Sequence, residues 1–266
     1  MILHPNCKIN LGLNVVAKRA DGYHDLETLF VPIPLCDLLE MEPAPVFGFA
    51  QEGIALDNVP EDNLCVRAYR LMQSEFPAYV RPVRMRLEKR IPFGAGLGGG
   101  SSDAAHVLTG LRELFHIPVE DSRLEALAAR LGADCPFFVR NRPAYATGIG
   151  DQLTPIDLDL SAYRLMLVKP DDHVSTREAY AGISPTPSQT DLRQAVKRPI
   201  ADWKHLIKNN FERSVFPTHP AIAALKEQLY AEGALYASMT GSGAALFALF
   251  PHGAEPRIEA PFVWMG

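Results

Sequence analysis

The chain has 266 residues, 47% hydrophobic and 21% charged, with a formal net charge of −5. This is enough apolar material for one large or two modest domains, and clustered positive charge of the kind that nucleic acid or an anionic membrane requires is missing. Cys7, Cys36, Cys65 and Cys135 form no C-x-x-C pair and have no histidine at metal-ligand spacing, so they are expected as buried or half-buried thiols in a reducing cytosol.

In chain order, alternation of Ile9, Leu11, Leu13 and Val15 with small or polar residues predicts a strand over 9–16. Residues 18–24, with Asp21-Gly22, read as the turn of a hairpin. The first residues lack a basic start followed by an apolar run, and no stretch approaches the ~18 apolar residues of a membrane helix. A cytoplasmic protein is expected. Further strands are predicted at 27–33, 38–42 and 83–91, the last with Val83, Met85, Leu87 and Ile91 inward and Arg84, Arg86, Glu88 and Arg90 outward. Helical spacing marks 63–73 and 102–115. A third helix, 123–131, has Ser122 and Glu125 as a capping box and Gly132 as its stop. Beyond a strand at 164–169, residues 171–199 are rich in proline and polar side chains. Two helices (203–211 and 220–232) and a strand (244–250) close an α+β second half.

The strongest chemical signal is the run from Pro92 to Ala105, Pro-Phe-Gly-Ala-Gly-Leu-Gly-Gly-Gly-Ser-Ser-Asp-Ala-Ala, between a predicted strand and a predicted helix. Five glycines in seven residues remove the Cβ atoms that keep a ligand off the backbone, and the helix adds its positive end. Ser101 and Ser102 can cap that helix or reach a phosphate or metal ion. Gly94, Gly96 and Gly99 satisfy the dinucleotide pattern G-x-G-x-x-G, but a second helix follows where that fold needs a strand and an acidic residue. A P-loop is excluded because no lysine follows these glycines. A different nucleotide cradle is implied.

The run resembles motif two of the GHMP kinase superfamily, the galactokinase, homoserine kinase, mevalonate kinase and phosphomevalonate kinase group. Thr240-Gly241-Ser242-Gly243-Ala244-Ala245 resembles its C-terminal glycine motif and Lys8-Ile9-Asn10-Leu11 its N-terminal motif. Arg19-Ala20-Asp21-Gly22-Tyr23-His24, Glu61-Asp62-Asn63-Leu64 and Gly132-Ala133-Asp134-Cys135-Pro136-Phe137-Phe138 narrow the resemblance. They are similar to the branch whose acceptor is 4-diphosphocytidyl-2-C-methyl-D-erythritol. The implied fold is a two-domain α+β GHMP kinase fold, with a ribosomal protein S5 domain 2-like N-terminal domain over residues 1–152 and a ferredoxin-like C-terminal domain over residues 153–266.

The resemblance also implies roles. Asp134 would be the general base and Lys8 would assist it; read from residues alone, Asp134 is equally a helix cap and Lys8 a surface lysine on an edge strand. Pro92, Phe93, Gly94, Ala95, Gly96, Leu97, Gly98, Gly99, Gly100, Ser101 and Ser102 would wrap ATP phosphates, with Asn63 and Lys89 near the adenosine half. Lys89 also fits a solvated strand face. Mg²⁺ is expected with ATP, Ser101 or Ser102 being the candidate ligand. Tyr23 and Tyr180 would sandwich cytosine while His24 reads its edge, although a half-buried core residue is the plain alternative for Tyr180. Asn10 would bond the methylerythritol or diphosphate part, and Asp21-Gly22 would only turn the chain. Two rivals remain: another GHMP kinase of homoserine or mevalonate type, whose acceptors offer no base to stack, and an inactive nucleotide-binding regulator, against which Lys8 and Asp134 speak. The oligomeric expectation is a monomer or weak dimer.

Overall fold

The computed structural model describes residues 1–54 and 62–266, so Glu61 of the Glu-Asp-Asn-Leu motif lies outside the described residues. The chain divides into two compact units. The first comprises Met1–Cys7, Pro32–Phe93 and Gly98–Arg142; the second comprises Lys8–Val31, Gly94–Leu97 and Pro143–Gly266.

The first unit holds a sheet of order β1-β4-β6-β5, from β1 (Ile2–Leu3), β4 (Leu38–Pro43), β6 (Val83–Lys89) and β5 (Gly48–Gly53). Strand β6 pairs antiparallel with β4 and parallel with β5. Its alternation behaves as the sequence predicts at Val83, Met85 and Leu87, which are buried, and at Arg84 and Arg86, which pair with Glu42 and Glu52 in solvent. Such exposed pairs add little to stability, because solvent screens them. Helices α1 (Leu64–Glu75), α2 (Gly99–Leu114), α3 (Asp121–Ala129) and α4 (Cys135–Arg140) complete the unit. Leu39, Met41, Met72, Met85, Leu108, Leu111 and Leu127 lie in its core.

Two boundaries differ from expectation. Helix α2 starts three residues before 102, so Gly99 and Gly100 are helical and the loop is shorter than its glycines suggest. Helix α3 is not capped by Ser122: its N-cap is Glu120, no side chain caps it, and Ser122 lies inside the first turn. The helix begins two residues earlier than expected, at Asp121, which pairs with Arg112 of α2 at 2.6 Å, and an acidic group there suits the helix dipole.

The second unit contains most of β2 (Asn6–Lys18) and β3 (His24–Cys36), joined by the expected turn, in a sheet of order β2-β3-β7-β8 with β7 (Ala144–Thr147) and β8 (Gln152–Pro155). Its other sheet has the order β10-β11-β9-β12, from β9 (Tyr163–Lys169), β10 (Tyr236–Met239), β11 (Leu246–Pro251) and β12 (Phe262–Met265). Of the helix predicted at 203–211 only 203–206 is helical, in α7 (Ile200–Leu206); the chain leaves the helix where Leu13 of β2 bonds Lys208 and Asn210, and the short α8 (Glu212–Val215) follows. The tail carries no further helix. It returns as β12 against β9. Helices α5 (Thr176–Ala181), α6 (Leu192–Ala195) and α9 (Pro220–Ala231) fill the remainder. Among the described residues no helix is long and apolar enough to cross a membrane.

Candidate active site

In the first unit, α2 opens on a left-handed N-cap, Gly98 at φ 70°, with no side-chain cap. A helix start of this kind leaves backbone N–H groups for an anion. Ser102 is buried with its hydroxyl 3.3 Å from Nδ1 of His106, whereas Ser101 is half-buried. A hydrogen bond from Ser101 reaches the Cys135 thiol, which burial pushes up to about 11. The first turn of α2 thus meets the turn that carries Asp134. That residue occupies the N-cap position of α4 but makes no side-chain capping bond, so the capping alternative does not explain it.

Asn63 and Lys89, expected near the adenosine half, both make bonds within the protein. Asn63 is the N-cap of α1: Oδ1 accepts from the Cys65 N–H at 2.9 Å and Nδ2 donates to Gln51 at 2.9 Å. Lys89 is not on a solvated face. It is buried, with Nζ donating to Asp37 and, at 2.6 Å, to Asp103. Burial works to lower the Lys89 pKa, but Asp103 and Asp37 outweigh it and hold the ammonium above its ordinary value. Burial works on Asp103 in the other direction, pushing it upward against the pull of Lys89. Sequence reasoning assigned nothing to Asp37 or Asp103. Asp103 stood inside the glycine-serine run, and its place on the inner face of α2 was the available signal; Asp37, between two strands, carried none.

In the second unit, Lys8 is 3% exposed, which removes the surface-lysine alternative. Its Nζ donates to Asn10 Oδ1 at 2.6 Å and to the Gly96 carbonyl at 3.0 Å, and lies 5.0 Å from the centre of the Phe30 ring. Asn10 is also buried, with Nδ2 donating to Thr28 and its N–H to Thr240. The Asn10 amide, expected to meet the substrate, here bridges Lys8 and Thr28. Thr240 also donates to the Gly96 carbonyl, at 3.2 Å, so the C-terminal glycine motif is docked on the Gly94–Leu97 segment. Asn209 steadies that motif from below, donating to the carbonyls of Met239 and Gly241 at 2.8 Å.

Family profiles described as "GHMP kinases N terminal domain" and "GHMP kinases C terminal" match residues 63–142 and 191–262. The 4-diphosphocytidyl-2-C-methyl-D-erythritol kinase of Bacteroides thetaiotaomicron is 48% identical over 97% of this chain and 96% of its own. The chain belongs to the 4-diphosphocytidyl-2-C-methyl-D-erythritol kinase family of GHMP kinases. A crystal structure of 4-(cytidine 5'-diphospho)-2C-methyl-D-erythritol kinase covers all of the chain and 98% of its own, with 33% identity and a TM-score of 0.83. The Methanococcus jannaschii mevalonate kinase, at 12% identity and a TM-score of 0.73 over the whole chain and 97% of its own, shares the fold.

In this GHMP kinase chain the expected base-binding residues sit in the second unit. Asp21 accepts from the Tyr23 N–H and Gly22 has φ 88°, so these two residues make the turn as expected. Tyr23 is 61% exposed on that turn. His24 stacks on Tyr180 with ring centres 4.7 Å apart, and Phe211 meets Tyr180 edge-on at 4.7 Å. As the rings stand, Tyr180 has one face against His24, so a base entering there has to displace the imidazole. Tyr180 also packs against the second unit's core. Pro92 and Phe93 end the first unit's segment, Phe93 being exposed, while Ala95 and Leu97 are buried anchors of the glycine segment.

Proposed function

We propose that this protein transfers the γ-phosphoryl group of ATP to the 2-hydroxyl of 4-diphosphocytidyl-2-C-methyl-D-erythritol, a step of non-mevalonate isoprenoid biosynthesis, in the cytoplasm. The observation that carries the reading is the glycine-opened, uncapped start of α2 next to the turn bearing Asp134, in a chain 48% identical to a kinase of that name. Residues 92–102 receive the phosphates. Asp134 accepts the proton of the attacking hydroxyl, and transfer is direct, without a phosphoenzyme. The buried Lys8 ammonium neutralises charge that grows on the transferred group. Mg²⁺ would be held by ATP phosphate oxygens and the Ser101 hydroxyl, and would supply charge neutralisation for the transfer. Ser102 is the poorer donor because its hydroxyl is buried on His106. Tyr23, His24 and Tyr180 receive the cytosine.

ADP release with Mg-ATP, offering the cytidylyl acceptor, homoserine and mevalonate separately, tests this. Turnover is expected with the cytidylyl acceptor alone, and Asp134→Asn is expected to lower kcat by about 10²–10⁴. Activity on another acceptor would overturn the substrate; nucleotide binding without turnover on any of them would make the protein a regulator.

A further inference from the structure

Asp37, Lys89 and Asp103 form a charged cluster inside the first unit, 0%, 3% and 2% exposed. The Lys89 ammonium donates to both carboxylates. The other oxygen of Asp37 accepts the backbone N–H of Arg90 at 2.6 Å and of Ile91 at 2.8 Å. These bonds gather three places in the chain: the link between β3 and β4, the end of β6 where Ile91 leads into Pro92 and the glycine run, and the fifth residue of α2. Gly99 lies against the same cluster. A Cβ there would come 3.0 Å from the Ile91 side chain and 3.4 Å from Lys89 Nζ.

Buried ion clusters are a weak source of stability, because apolar side chains of similar volume pack as well without the cost of desolvation. What this one supplies is fixed geometry. Short charge-assisted bonds of defined direction hold the strand end and the helix start in one register, and catalysis by positioning is sensitive to displacements of about 1 Å. We infer that the Asp37–Lys89–Asp103 cluster is a positioning device, which holds Gly99, Gly100 and Ser101 in the conformation that a nucleotide triphosphate meets. The inference rests on the ATP-kinase reading above. None of the three residues is a catalytic residue; they act through the backbone of residues 90–101.

Lys89→Met, Lys89→Arg and Asp103→Asn test it in the whole chain. Amide hydrogen exchange is measured with each variant's thermal midpoint, and KM is measured for each substrate. Lys89→Met is expected to speed exchange at Arg90, Ile91 and Ser102, whose N–H groups bond Asp37 and the Gly98 carbonyl, while residues 107–114 of α2 keep their protection. Its KM for ATP is expected to rise on the order of tenfold or more, with the acceptor KM within about twofold of wild type. Lys89→Arg restores part of both. If Lys89→Met does not fold, Asp103→Asn, which keeps the side-chain size, carries the same expectation. Unchanged exchange at Arg90, Ile91 and Ser102 in a folded variant, or equal loosening along the whole of α2 with both KM values moving together, overturns the inference. Wild-type ADP release tests the kinase reading separately, and its absence would leave the exchange result to decide the inference.

Discussion

Two glycines with nearly the same backbone angle do different work. Gly22 has φ 88° and nothing within 4 Å of a built Cβ, whereas Gly96 has φ 72° and a Cβ there would collide with the Thr240 carbonyl. Gly22→Ala therefore meets only the left-handed strain of an L-residue, about 1–2 kcal/mol. Gly96→Ala adds the collision and has to push the Thr240 turn away from Asn10 and Lys8. Urea unfolding should show the larger loss for Gly96→Ala, and only that variant should lower kcat; equal losses would mean that the docking of Thr240 on Gly96 is not rigid. Lys8 gives a companion case. Removing a buried ammonium leaves Asn10 Oδ1 and the Gly96 carbonyl without that donor, so Lys8→Met is expected to cost about 1–3 kcal/mol in stability as well as turnover. An unchanged urea midpoint would deny the structural half of that statement.

At the scale of elements, α5 carries Tyr180 and is tied to the start of α9 by one histidine. His219, the N-cap of α9, meets Glu178 at 3.0 Å through Nε2 and Asp172 at 3.1 Å through Nδ1. Both nitrogens donate only when the ring is protonated. The bonds to Glu178 and Asp172 raise the His219 pKa above its ordinary value of 6.5. A raised folded-state value means that the protonated ring stabilises the fold fully below about pH 6.5, and that this contribution fades as pH climbs through the folded-state value. Proteolysis within 171–183 and the acceptor KM should both rise across that window, and His219→Gln should flatten both profiles; a pH-independent wild type would refute the tie. The sequence shows little of this. His219 and Glu178 are 41 residues apart, and such a pairing has no local signature. Where a pattern is local it was legible: the alternation of β6, the spacing of α1 and α2, the Asp21-Gly22 turn and the glycine run. Where a long-range bond decides the outcome it was not, as with Asp37 and Asp103 on either side of Lys89; Lys89 itself falls on the inward phase of β6 with Val83, Met85 and Leu87, a local signal that the solvated-face alternative ignores. Strands β7, β8 and β12 are four residues each, too short for alternation to register.

At the scale of the whole molecule, residues 1–152 and 153–266 remain the proposed extents of the two family domains, with the profiles falling at 63–142 and 191–262. The compact units cut across that line, because the second unit draws Lys8–Val31 and Gly94–Leu97 from the N-terminal part. Interleaving of this kind leaves no mark in composition, since each crossing is an ordinary strand or loop. It has a thermodynamic consequence. Leu13 and Val15 are buried in the second unit's core with Phe211, Val215 and Leu246. The backbone of Leu13 bonds Lys208 at 2.9 Å and Asn210 at 2.8 Å, and the Val15 N–H bonds the Asn210 side chain at 2.9 Å. Losing two such side chains removes about 1.5–3 kcal/mol each, and with β2, β3 and β7 all absent the remainder of β8 has no sheet to join. Set against a typical total of about 5–15 kcal/mol, these losses leave little for the remainder. A fragment of residues 153–266 is therefore expected to show no cooperative urea transition by circular dichroism, whereas the whole chain does. A sharp transition in that fragment would show that its β10-β11-β9-β12 sheet and α9 are a sufficient core without β2.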